Sequence, residues 1–528
     1  MAKTIRPVLP LALLGLVAFI LLGCGGGGGG GSSGVGATVP ETPPTLDGLA
    51  RPAGYQSSGF PVTEPTITLP GFGADNKALA IFANTYASEK SGQLTASLGT
   101  PASLRLAQRP ADAGQTMTGS VPGAAFLQRL RQWQAALPVG TGGRASLRAT
   151  PRAATLNEQV TFQMPKDQVA IPVTAICRKI VDLPGVTTGG KVCFFVDKDD
   201  GYSTDTTGKF IDTLADHWVG VNGQTSIYTT VRQIFGEEPP ATFNNLALGN
   251  DIIILITSKV STIDRYLAGF FWSGDLIAGS SPSSNQRKMF YLTNITAPEV
   301  PDLTETTMAS TMAHEFQHMV NFYQRHLKGL QEDTWLNEAM SGYAEHVCGF
   351  SAATNNQSKA LQINRYFEAG KMPTVSLTNW KDDHENYGLV YLFGTWLGQK
   401  FSPNKDGTVK NLLASAFKGE QAVAQFAGES FDKVFSKFMV MLAVNNPDDP
   451  IYGITGLDLK GTFTYGGGLA PVTLTGPQPP VAFNGYPYNT GSITIAPRAG
   501  FAVALGNGNG STLTLRFTTS ASAFQLHK

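Results

Sequence analysis

Apolar and polar positions change their rhythm several times along the chain. From about 159 to 197 apolar residues alternate or come in short runs between Gly and Pro, which predicts strands. Asn250-Asp-Ile-Ile-Ile-Leu-Ile-Thr257 and Lys288-Met-Phe-Tyr-Leu-Thr293 are continuous apolar runs and predict buried strands. Residues 207–218 and 226–236 carry helical spacing, and 303–443 is mainly helical. From about 447 onward, segments such as Ser511-Thr-Leu-Thr-Leu-Arg-Phe-Thr518 alternate with Gly, Pro and Asn turns. Before 159, Ala78–Asn84 reads as a strand, 124–136 as a helix, and 35–75 and 138–157 as loose connections. The pattern predicts an α+β fold. Its main domain is expected at 158–445, β-rich over 158–300 and helical over 301–445. An accessory or propeptide-like region (76–157) is expected before it and a β-sandwich-like module (446–528) after it.

The first residues carry an address rather than a fold. Lys3 and Arg6 precede an apolar run from Val8 to Leu22, too short to span a bilayer as a helix and suited to an export signal. Leu21-Leu22-Gly23-Cys24 resembles the lipobox of bacterial lipoproteins. That resemblance implies a signal peptide over 1–23, cleavage before Cys24, lipidation of Cys24, and attachment to a membrane of the bacterial cell envelope, surface-exposed or later released. The run Gly25–Gly31 opens a flexible Gly/Pro/Ser linker over 24–75. Composition narrows the partners. Lys+Arg and Asp+Glu number 39 each, so the net charge is zero, which excludes a basic nucleic-acid surface and polybasic lipid binding.

Histidine is scarce, with seven in the chain, and five of the seven lie between 314 and 384. Among them stands His314-Glu315-Phe316-Gln317-His318. Asp302-Leu-Thr-Glu305 offers an N-cap with a glutamate three residues on, and Met308, Met312, Met319 and Tyr323 keep helical spacing. On a helix, His314 and His318 fall one turn apart on one face, placed for one Zn²⁺, with Glu315 beside them able to reach water on the metal. A catalytic zinc needs a third protein ligand and one open position. Trp335-Leu-Asn-Glu338, twenty residues after His318, follows a turn marked by Gly329 and offers Glu338.

These two segments resemble the gluzincin metallopeptidases and, more closely, the hyicolysin family of bacterial zinc peptidases. The likeness is densest over 308–350 and 384–397. It implies a gluzincin (thermolysin-like) core with flanking β-rich accessory modules, His314, His318 and Glu338 as zinc ligands, and Glu315 as the catalytic acid/base of an endopeptidase acting on proteins or peptides. A second oxyanion stabiliser is expected from His384-Glu-Asn-Tyr387-Gly-Leu-Val-Tyr391; Tyr387 is the first choice, with His384 and Tyr391 as alternatives. Thermolysin-like enzymes carry an Asp four residues after the third ligand. Here that position is Gly342, and Glu345 is the substitute candidate for orienting a histidine. An aminopeptidase of the gluzincin type, or a surface adhesion protein on an inactive peptidase fold, are the alternatives; the retained Glu315 speaks against the second.

Three cysteines follow Cys24. Cys177 and Cys193 lie in a strand-like hairpin and, in an exported protein, are a disulfide candidate. Cys348 reads as a core residue. Asp197-Lys-Asp-Asp-Gly201 faintly resembles a Ca²⁺ loop but lacks the later acidic ligands, so a plain turn is the stronger expectation.

Overall fold

The computed structural model describes residues 16–23, 66–69, 71–99, 123–137 and, with short gaps, 153–519. Cys24 and Asp302 lie outside the described residues. In chain order, strands β1 (Leu16–Gly23), β2 (Thr66–Leu69), β3 (Lys77–Asn84) and β4 (Lys90–Leu98) precede helix α1 (Ala124–Ala135). Then come β5 (Gln159–Lys166), β6 (Val169–Asp182), β7 (Lys191–Asp197), α2 (Lys209–Val219), α3 (Ile227–Phe235), β8 (Ile252–Ile256), β9 (Gly269–Phe270) and β10 (Lys288–Leu292). Helices α4 (Glu305–His326), α5 (Thr334–Val347), α6 (Gln357–Phe367), α7 (His384–Phe401) and α8 (Phe431–Val444) follow. Strands β11 (Tyr488–Asn489), β12 (Ile493–Ile495), β13 (Gly500–Leu505) and β14 (Leu513–Thr519) close the list.

The central sheet has six strands in the order β9-β10-β8-β7-β6-β5. β7, β8 and β10 run parallel, while β9 lies antiparallel to β10 at the edge. Their apolar runs are continuous because both faces are covered. Phe194, Ile254 and Phe290 point into the large core with α2, α3 and α4. Phe195, Leu255 and Tyr291 point the other way, into a second cluster capped by Phe126 and Leu130 of α1. Gly269–Phe270 thus holds the sheet edge and Lys288–Leu292 lies inside.

The terminal regions differ from the two separate modules expected at 76–157 and 446–528. β4 pairs with β14 from Leu98↔Leu513 to Gly92↔Thr519, and with β11 and β12. β3 pairs with β13 on one side and β1 on the other. The first and last strands thus form shared sheets around one core of their own, with Phe82 stacked on Phe501 at 4.4 Å. Alternation within a strand says which face is buried, not which strand lies beside it. Arg498 joins this unit to α8, donating to Asp432 at 2.6 Å and to Glu420 at 2.7 Å.

Cys177 and Cys193 are buried free thiols, not the expected disulfide. The hairpin is present, and an irregularity between Cys177 and Lys179 sets Cys177 opposite Phe195 and Cys193 opposite Ile180, while the two thiols still lie side by side within hydrogen-bonding reach of each other. Cys348 is buried in the main core. At the faint Ca²⁺ loop, the amine of Lys259 stands between Asp197 and Asp199, 3.3 Å from the latter, and Asp200 receives Ser258 N–H at 2.7 Å. A lysine and backbone donors meet the acidic charge of this turn.

α7 reaches the site because glycines let it approach α5 and α6. A Cβ on Gly394 would lie 2.1 Å from the Ala339 carbonyl oxygen, and one on Gly388 would lie 2.3 Å from that of Gln362. Backbone cannot yield as a side-chain end can. Gly394→Ala should therefore lower stability by about 3 kcal/mol, since overpacking outweighs the roughly 1 kcal/mol gained in helix propensity. Chemical denaturation checks this; a variant as stable as the parent would show that α5 and α7 separate freely.

Candidate metal centre and cleft

α4 begins with Thr304, whose hydroxyl accepts the Thr307 N–H at 3.0 Å. This cap stands in for the Asp302 expected from sequence. The helix then carries His314 and His318 on one face, ring centroids 4.7 Å apart. α5 returns beside α4 and brings Glu338. One donor atom from each of His314, His318 and Glu338 lies within 4.8 Å of the other two. Glu338 Oε2 is buried, accepts no hydrogen bond, and stands 3.3 Å from His314 Nε2. An orphaned carboxylate oxygen beside one imidazole nitrogen, with the second imidazole nitrogen 3.8 Å from the other oxygen of the same carboxylate, is a donor set that suits zinc.

Both imidazoles are fixed from behind. His314 Nδ1 meets Glu345 Oε1 at 2.8 Å, and His318 Nδ1 meets Asn337 Oδ1 at 3.1 Å. With Nδ1–H donating to these oxygens, each Nε2 is left facing the cleft. Glu345 is itself held by Ser310 at 2.7 Å, Asn356 at 2.8 Å and Lys359 at 3.0 Å. Burial opposes its charge, but Lys359 and His314 outweigh that and hold the carboxyl at about 2. Burial likewise works against protonation of His314, yet Glu338 and Glu345 lift it to about 10, whereas burial takes His318 down to about 4. Glu315 is buried, accepts from the Phe271 backbone N–H just past β9, and is pushed up to about 7 by that burial.

These groups open on a cleft of about 670 Å³. Tyr387 lines it, its ring edge-on to Trp380 at 4.8 Å. Neither alternative to Tyr387 lines the cleft. The Tyr391 hydroxyl accepts from Ala352 N–H and meets His346 Nδ1 at 2.9 Å, away from the cleft, and His384 sits at the start of α7. His326 meets Asn244 at 3.0 Å. The unexpected member is Arg131 of α1, whose Nη2 lies 2.8 Å from Glu338 Oε1 and 3.3 Å from the Tyr387 hydroxyl. Asp382 and Trp380 beside it were equally unmarked by any motif. For Asn337, its place next to Glu338 was the available signal.

Residues 172–431 match the family model of peptidase M30. Over 269 residues the chain is 28% identical to the neutral metalloprotease ShpI of Staphylococcus hyicus. Over residues 172–431 the chain is similar to the hyicolysin-like M30 peptidases. The matched stretch is 49% of this chain and 57% of ShpI, so little more than half of that relative's length is spanned. Within the M30 match lie α4, α5 and α7, with all the side chains just described except Arg131. Two solved structures also show similarity. One is an M1 zinc metallopeptidase from Deinococcus radiodurans, 14% identical with a TM-score of 0.28, covering 70% of this chain and 90% of that one. The other is an aminopeptidase N family protein from Idiomarina loihiensis, 12% identical with a TM-score of 0.26, covering 53% of this chain and 48% of that one. Superpositions that loose carry no argument about fold.

Proposed function

We propose that this chain is a zinc-dependent endopeptidase with a gluzincin-type core, exported and tethered to the cell envelope through lipidated Cys24. The observation that carries the reading is the convergence of His314, His318 and the orphaned Glu338 oxygen in one cleft with buried Glu315. When bound there, zinc would polarise the scissile carbonyl and make water a stronger acid. Glu315 supplies the base. Its carboxyl, near 7, takes a proton from the attacking water and returns it to the leaving amine. Glu345 and Asn337 keep the two imidazoles in the tautomer that presents Nε2. Tyr387 lines the same cleft and is the hydroxyl proposed to stabilise the oxyanion. The zero net charge fits a protein substrate rather than nucleic acid. Among the described residues no helix is long and apolar enough to cross a membrane.

Purified protein should contain about one zinc per chain, the capacity of a three-ligand site. It should cut casein internally and lose that activity to a chelator, with zinc restoring it. Stepwise release of amino-terminal residues would move the reading to an aminopeptidase, and zinc-loaded protein inert on every peptide would sink it.

A further inference from the structure

α1 faces two ways. Phe126 and Leu130 are buried on the sheet, with Phe126 edge-on to Phe270 of β9 at 5.0 Å and Trp133 edge-on to Trp272 at 6.1 Å. Its other side, with Leu127, Arg131 and Gln134, lines the cleft. The helix therefore stands over the edge strand, where an extended peptide would add itself by main-chain pairing.

Arg131 is held as a bound side chain would be. Its Nη1 donates to Asp382, and its guanidinium lies 5.6 Å from the centre of the Trp380 ring. Trp380 donates its indole N–H to the same Asp382 oxygen at 2.8 Å, fixing the carboxylate. Asp382 is only 8% exposed and sits at a positive φ of 59°, a strained backbone for a non-glycine residue. Among the described residues, Arg131 is the one cation paired with Asp382. With α1 gone, that carboxylate would keep the Trp380 N–H but lose its cation, a large cost for a buried charge that a new cation would remove. An aromatic face beside a fixed acid suits a guanidinium or ammonium group.

We propose that α1 is an internal competitor for the cleft: Arg131 fills a cation subsite of Asp382, Trp380 and Tyr387, and when α1 is displaced this subsite receives an arginine or lysine side chain of the substrate. The inference rests on the peptidase reading, because it names the substrate class of that site.

The test uses the full chain. Arg131→Ala should hydrolyse an arginine-containing peptide about tenfold faster than the parent and lose hydrogen-exchange protection over α1. Arg131→Glu, repelled by Glu338 and Asp382, should do the same. Binding is read separately in the Arg131→Ala, Glu315→Gln chain, from the anisotropy of two labelled, capped hexapeptides that differ by one Arg or Leu. The Arg peptide should bind about tenfold tighter, and adding Asp382→Asn should bring the ratio to near one. Equal Kd values overturn the proposal. So does a parent that already hydrolyses the arginine peptide as fast as Arg131→Ala. A preference for Arg with no hydrolysis by any chain leaves the subsite standing and removes the peptidase reading instead.

Discussion

Glu315→Gln should retain zinc and lose peptide hydrolysis, with kcat falling by about 10² to 10⁴, the range supplied by a general base. Glutamine has the same shape, and its carbonyl oxygen can still accept the Phe271 N–H. It cannot take a proton at that oxygen. The three grouped donor atoms belong to other residues, so metal content should not change. A drop in kcat with KM preserved identifies an interaction used in the transition state rather than in binding. The informative pair of measurements is zinc by mass spectrometry and initial rates on casein. A Gln variant as fast as the parent would remove Glu315 from the chemistry.

Glu338→Ala should fail earlier, at the metal. One of three donors disappears, and zinc affinity should fall by at least about 100-fold, beyond the 10–100-fold typical of losing a mere supporting contact. The variant also leaves Arg131 facing the cleft without the Glu338 carboxylate. Dialysis against a chelator of known affinity gives the Kd ratio, and circular dichroism shows whether α5 remains helical. Unchanged zinc retention would exclude Glu338 as a ligand. Together the two variants separate a site that cannot hold metal from one that holds it and cannot move a proton.

The parts of the site legible in sequence obey local rules. His314 and His318 lie four residues apart, and helical pitch alone puts them side by side. Glu338 needed only the return of the next helix, and Glu345 lies on that same helix, α5. The continuous runs at 252–256 and 288–292 marked strands covered on both faces. What stayed hidden was set by distant partners. Arg131 meets Glu338 across 207 positions, and nothing in the amphipathic spacing of α1 indicates a buried carboxylate beyond it. The Cys177–Cys193 hairpin was readable, but its register depends on one irregularity in β6. The pairing of Leu94 with Phe517 has no local signature. Helix starts are degenerate in the same way: Thr and Asp are both good caps, and it is the Thr304 hydroxyl that accepts the Thr307 N–H.

The interleaving of first and last strands has a consequence for how covalent continuity relates to integrity. β3 and β4 are stitched to β11–β14 by main-chain hydrogen bonds along their lengths. A chain cut once between α1 and β5 would run as two bands under denaturing conditions and still elute as one particle. An intact mass on a sizing column is therefore no evidence of an unbroken backbone. Removal of the last thirty or so residues would strip β3 of β13 and β4 of β14, partners from the opposite end of the sequence.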